Sequence, residues 1–304
     1  MGPGPAGPAS RRVGFLPGFD AAGANFAVVV LGLASAIAFG SADFGGGWTS
    51  RRAPILGVSL VVEIVEISAM IAAALLTGEP WPGPGPAALA VVGGVVGLIG
   101  LVGLYHGLSV GRMGVVAPVT GVLAAIVPVA AGVVLEGALP PLVWLGVGFA
   151  LVAVALVSRA AGGEGGRSGL EFAVAGGLGI GLSQVFLGLI PEGSLFWALA
   201  MVKLSAGVVL VAIILLARQA WRVPRRIVPA AVGVALLDSL GNGLFLLAAQ
   251  AGALAIAAVL SSLYPVMTVI LAVTLLHERL SRGHLVGIAA AIVAIVLIGA
   301  GGAA

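Results

Sequence analysis

An apolar stretch with a proline inside it and a glutamate at its end occurs twice in this chain, about 140 residues apart. The first copy, Leu104 to Gly137, reads LYHGLSVGRMGVVAPVTGVLAAIVPVAAGVVLEG and holds Pro128 and Glu136. The second, Leu244 to Leu280, reads LFLLAAQAGALAIAAVLSSLYPVMTVILAVTLLHERL. It holds Pro265, with Glu278 and Arg279 where the apolar run stops. At an offset of 140, Leu104 falls on Leu244, Tyr105 on Phe245, Ser109 on Ala249 and Glu63 on Lys203. At 141, Gly40 falls on Gly181 and Asp43 on Gln184. The register drifts past Pro118, as in a diverged duplication. A repeat of this length makes each half a structural unit.

Those units belong in a membrane. Of 304 residues 61% are hydrophobic and 8% charged, with mean hydropathy +1.23, against about 25% charged in soluble domains. Apolar runs of about 20 residues suffice to cross a hydrocarbon core of roughly 30 Å as helices. Alternating strand-length segments with turn signals, which a barrel would need, are absent. Ten spans are predicted, near 25–44, 55–77, 87–108, 114–135, 142–158, 170–190, 195–217, 228–249, 254–276 and 283–301. The polar, glycine-rich connector 159–169, RAAGGEGGRSG, separates five spans from five. An odd number per half forces the second half to enter the membrane upside down, an arrangement recurrent in secondary transporters. The fold class expected is therefore an all-α integral membrane protein of ten transmembrane helices in two inverted five-helix repeats. Its domains are a disordered tail over 1–24, a first repeat over 25–160 and a second over 161–304.

A pI near 10.2 invites a nucleic-acid reading, but the arginines lie mostly between spans and no basic-aromatic cluster accompanies them. With the N-terminus cytoplasmic, only Arg11 and Arg12 would lie on the cytoplasmic side. Arg51, Arg52, Arg112, Arg159, Arg167, Arg218, Arg222, Arg225, Arg226, Arg279 and Arg282 would lie opposite. The positive-inside rule favours the reverse, both termini outside. Ser10-Arg11-Arg12 is spaced wrongly for a twin-arginine export signal. There is no cysteine, hence no disulfide or thiolate chemistry.

GSADF at Gly40–Phe44, LYHGLSVGRMGVVAP at Leu104–Pro118 and YPVMTVILAVTLLHERLSRGHLVGI at Tyr264–Ile288 resemble EamA-type permeases of the drug/metabolite transporter (DMT) superfamily. The resemblance covers about 25–301. It implies a five-plus-five inverted repeat around a central cavity, and export or exchange of small metabolites. It also implies cytoplasmic termini, opposite to the arginine distribution. The first half departs in one respect: Pro128 to Glu136 spans eight residues, Pro265 to Glu278 thirteen. Glu136 and Glu278 are marked by the resemblance as a family feature; at a water boundary each also reads as a simple charged terminator.

Ionisable side chains inside a membrane are expensive, so each is a functional candidate. Glu63 and Glu66, three apart on span 2, share a helix face. Two carboxylates there do not both ionise easily, which suits a proton carrier; pairing with Lys203 on span 7 is the structural alternative. Asp238 and Asn242, one turn apart on span 8 beside Ser239, Gly241 and Gly243, read as a cavity lining. Asp43 and its counterpart Gln184 lie toward span ends, equally open as interfacial anchors or ligands. Tyr264, Ser261 and Ser262 precede Pro265, whose missing N–H frees a carbonyl that lines a cavity or is re-satisfied by Ser261. His106 reads as hydrogen-bonded filler, and the glycines of spans 3 and 6 as close-packing faces.

No Walker motif, metal-ligand spacing or nucleophile context occurs, so no catalytic residue, metal or cofactor is expected. The chain reads as a non-enzymatic secondary transporter, exporter or exchanger, open to proton coupling, in a bacterial cytoplasmic (inner) membrane. A lipid or carrier-lipid flippase is the alternative, and an intramembrane enzyme a more remote one. The partners expected are a small-molecule substrate and the lipid bilayer, with a homodimer left open and no nucleic acid.

Overall fold

Leu, Val, Ala and Gly runs leave the backbone no polar side chains to bond with, so in lipid it satisfies itself as helix. The computed structural model describes residues 21–136, 140–162, 169–190, 193–251, 257 and 260–301, and among them all regular structure is helical. The helices are α1 (Ala21–Ser50), α2 (Ile55–Thr77), α3 (Pro84–Val110), α4 (Met113–Glu136) and α5 (Pro141–Gly162). The second half supplies α6 (Leu170–Gly188), α7 (Leu195–Leu216), α8 (Val228–Ala251), α9 (Tyr264–Leu275) and α10 (Arg282–Gly301). Seven of these, α1 to α4 and α6 to α8, are long and apolar enough to cross a membrane. Their outward side chains, such as Leu76, Ile99 and Leu216, are exposed and apolar. The protein is an integral membrane protein.

Helix ends fall where the sequence breaks the backbone pattern. Gly78 closes α2 in the left-handed region, φ 68°, and both its N–H and that of Glu79 bond to the Ala74 carbonyl. Pro84 opens α3. The predicted tail and α1 overlap, since α1 starts at Ala21; residues 1–20, with Arg11 and Arg12, lie outside the described residues. So do most of the 159–169 connector and the side chain of Glu136. The ninth predicted span, 254–276, is interrupted: Ala257, Leu260 and Ser261 are helical, a turn follows at Ser262–Leu263, and α9 starts at Tyr264 with Pro265 in its first turn. Pro265 therefore starts a helix where the sequence reading put it inside one, because a proline is tolerated in a first turn and breaks the ladder elsewhere. The first half accommodates both Pro118 and Pro128 within α4.

The principal helix pairings form a regular pattern. α1 packs on α8 as α3 does on α6, α4 on α6 as α9 does on α1, and α3 on α7 as α8 does on α2. α2 packs on α7, α4 on α9 and α5 on α10. Exchanging α1–α5 with α6–α10 carries each of these pairings onto another or onto itself. The contacts of α1 with α3 and of α4 with α10 have no extensive counterpart.

Two of the closest approaches are backbone to backbone. α3 and α6 cross where Gly100 meets Gly179 and Gly103 meets Gly176. Gly177 and Gly181, on another face of α6, admit Thr120, Leu123, Ala124 and Val127 of α4. Small residues let helices approach this closely, and dispersion then holds them in lipid, where apolar burial gives no drive. The largest buried core gathers Phe44, Val58, Leu108, Met113, Val116 and Val234 between one end of the bundle and its middle.

Candidate functional site

Beyond that core, roughly 10–20 Å along the helices from the same end by helix rise, charged residues from four helices meet. Lys203 on α7 places its Nζ 2.5 Å from Glu66 Oε2 on α2 and 4.0 Å from Asp238 Oδ2 on α8. Glu63, one turn before Glu66, lies within electrostatic reach of Lys203 and Asp238. Asp43 on α1 is within reach of Asp238 and of Tyr264 on α9. Asn242 donates its Nδ2–H to the Asp238 carbonyl at 3.0 Å and to Oδ2 at 3.2 Å, which holds that carboxylate on its helix. Ser35 donates to the Gly241 carbonyl at 2.8 Å and ties α1 to α8 beside it.

Glu63 and Glu66 are 2% and 1% exposed, whereas the side chains of Lys203 and Asp238 keep 21% and 27%. The accessible part of Asp238 points inward. Val234, Ala235 and Gly241 on its face of α8 are buried, and Leu236 and Leu240 on the opposite face are exposed. Lys203 likewise shares its face with buried Ala200, Ala206 and Gly207. The site is therefore a polar crevice inside the bundle, with Glu66, Glu63 and Asp238 around one ammonium and Asp43 within reach of Asp238. An unpaired charge there would cost several kcal/mol, so the lysine-glutamate contact is what makes the pair tolerable.

The sequence candidates divide accordingly. Asp43, Glu63, Glu66, Lys203, Asp238, Asn242 and Tyr264 come together. Asp43 is two turns inside α1, since that helix runs on to Ser50. Ser261 stands aside, donating to the Gly32 carbonyl at 3.5 Å. Gln184 does not join: it is exposed on α6, and the buried neighbour Ser183 faces Gly93 and Gly97 of α3 instead. His106 packs edge-on to Phe172, ring centroids 4.2 Å apart. One site residue escaped the sequence reading. Tyr105 is buried, packs against Gly46, and sits within reach of Glu66, Asp238, Asp43 and Glu63. Its position one turn from the end of α3 gave no sign of that, although its alignment with Phe245 was visible.

A second polar assembly lies at the end of the bundle nearest the large core. Arg51 donates to the Leu108 carbonyl at 3.0 Å and the Gly111 carbonyl at 3.1 Å, capping the C-terminus of α3. Glu278 accepts the Met113 N–H at 3.0 Å and the Gly114 N–H at 3.1 Å, capping the N-terminus of α4. The two side chains stand 3.6 Å apart. Glu278 is thus a cap for a helix of the other half, more than the boundary charge its sequence position allows. At the opposite end Glu79 accepts the Phe196 N–H at 2.8 Å and caps α7, with Trp197 Nε1 donating to its carbonyl at 3.0 Å. Glu278→Ala should lower stability by about 1–2 kcal/mol, as loss of a cap does. The melting midpoint of the detergent-purified protein measures it.

Residues 167–300 match the model of the EamA-like transporter family. Over those residues the chain is similar to EamA-like transporters. That EamA-like half carries α6 to α10, including Lys203, Asp238, Asn242 and Tyr264 of the crevice and Glu278 of the end clamp. The match to that family implies a membrane transporter of the drug/metabolite type. A solved crystal structure, titled only as that of a protein, is 18% identical over 90% of this chain and 97% of its own, with TM-score 0.57. At that identity the likeness shows the fold alone. No curated protein matches the chain.

Proposed function

We propose that the chain is a secondary transporter, exporter or exchanger, of a small metabolite in a bacterial inner membrane. It works by alternating access between two inverted five-helix halves, and its substrate or coupling ion engages the central crevice. The observation that carries this reading is the convergence of Asp43, Glu63, Glu66, Lys203 and Asp238 from α1, α2, α7 and α8 at mid-bundle. Both halves contribute to the crevice, as expected of a site at a repeat interface. The exchange of pairings between α1–α5 and α6–α10 supports inversion, given five helices per half. The large core and the Arg51–Glu278 clamp cover the crevice on one side. That arrangement fits a conformation closed at the arginine-rich end.

The test is tolerance of a sensitive host to a panel of amino acids, drugs and metabolites, with Asp238→Asn at matched expression. Asp238→Asn keeps the shape and removes one charge. It should reduce export about tenfold, a loss of about 1.4 kcal/mol in the transport barrier. Export at the parental level would make Asp238 structural. A protein that exports nothing from the panel but changes lipid distribution between leaflets would instead be a flippase.

A further inference from the structure

Between α7 and α8 the chain reads RQAWRVPRR over residues 218–226, with Arg218, Arg222, Arg225 and Arg226 and no acidic residue. All four arginines and Trp221 are exposed, Trp221 at 46%. Among the described residues no carboxylate pairs with any of the four. Elsewhere at this end Arg51 caps α3, and Arg52 stacks on Trp48 at 3.8 Å. The helix dipole accounts for Arg218, a cation at the C-terminus of α7. It disfavours Arg225 and Arg226, which precede the N-terminus of α8 at Val228. Like charges crowded at that helix end favour an anion between them, and the segment itself supplies none.

The segment is nevertheless fixed in place. Gly57, in the first turn of α2, lies so close to the Trp221 carbonyl that a Cβ there would overlap it, with the Val223 side chain alongside. Val223 also packs on the large core, and Ile227 is buried. The backbone thus rests on α2 while the basic side chains and the indole stay exposed. A positive-inside signal requires only basic residues in a loop, without a fixed frame or an exposed tryptophan. Both flanking helices are long and apolar enough to cross the membrane, so their junction lies at headgroup depth. The abundant anion at that depth is a lipid phosphodiester. Arginine forks match its oxygens, and tryptophan prefers the interface. We infer that residues 218–226 bind the headgroup of an anionic phospholipid through Arg222, Arg225 and Arg226, with Trp221 at the glycerol level. Through Gly57 the bound lipid ties α2 to the α7–α8 junction. It thereby steadies the three helices that carry Glu66, Lys203 and Asp238. This site is independent of what the crevice carries.

The experiment titrates the purified full chain in neutral detergent with dioleoylphosphatidylglycerol, dioleoylphosphatidylcholine or inorganic phosphate. Native mass spectrometry reads the lipid retained, and the melting midpoint reads the stabilisation. The anionic lipid should be retained about tenfold more tightly than the zwitterionic one, a preference that shrinks as salt is added. It alone should raise the midpoint. Arg222→Gln, Arg225→Gln and Arg226→Gln together should abolish the preference. Arg279→Gln with Arg282→Gln, exposed at the same end, is the charge control and should keep it. Should the triple variant fail to purify folded, Arg225→Gln with Arg226→Gln takes its place. Equal retention of the two lipids overturns the inference, as does a preference that survives in the folded variant or falls equally in the charge control. A midpoint raised as far by inorganic phosphate would assign the site to a free anion and overturn the lipid.

Discussion

Lys203→Met should be the most damaging single substitution in the bundle, costing about 3–5 kcal/mol, because it leaves a buried carboxylate without its counter-charge. Glu66 is 1% exposed and has Lys203 at 2.5 Å. Asp238 and Glu63 would then repel it with no cation between them. The reverse change, Glu66→Gln, should cost less. There the ammonium keeps Asp238 at 4.0 Å and the charge of Glu63 nearby. The asymmetry is the informative part, since a merely additive pair would lose the same from either side. Lys203→Met with Glu66→Gln together should recover part of the loss, and thermal melting of the four proteins in detergent gives the coupling directly. Equal melting of Lys203→Met and the parent would show that the pair contributes no stability.

Gly179→Val comes second. A Cβ at Gly179 would stand 2.5 Å from the Gly100 nitrogen and 2.7 Å from its Cα, both backbone atoms that cannot rotate away. α3 and α6 would have to part along the whole crossing, including the Gly103–Gly176 contact. The cost expected is at or above the upper end of the ~1–3 kcal/mol typical of overpacking. Gly148→Ala and Gly233→Ala are the controls. A Cβ at either meets nothing within 4 Å, and alanine is the better helix former. These two should melt at or above the parent while Gly179→Val is lost from the monodisperse fraction. Unchanged melting of Gly179→Val would mean that α3 and α6 do not cross there.

Most of the helices were legible before any coordinates. Span 2 was read as 55–77 and α2 is Ile55–Thr77; span 7 was read as 195–217 and α7 is Leu195–Leu216. Bilayer thickness fixes the length of such a run, and the run is local in sequence. The ninth span is interrupted at Ser262–Leu263 because Pro265 is best accommodated in a first turn. Gln184 was grouped with Asp43 because an offset of 141 aligns them, yet such an alignment gives a position along a helix and not the face that carries the chemistry.

What the sequence determined by itself is the class of molecule: a membrane-embedded, all-helical chain with few ionisable groups at depth. Hydropathy suffices for that, since it follows from the solvent each residue must meet. The tertiary structure decided who meets whom. It gave Lys203 to Glu66 and left Glu63 without a hydrogen bond at one oxygen, drew Tyr105 and Asp43 in, left Gln184 out, and set Glu278 on the end of α4. Those outcomes depend on the rotation of each helix about its axis and on its depth against its neighbours. Both are set by glycine contacts between segments tens of residues apart, such as Gly100 on Gly179, which no local pattern encodes.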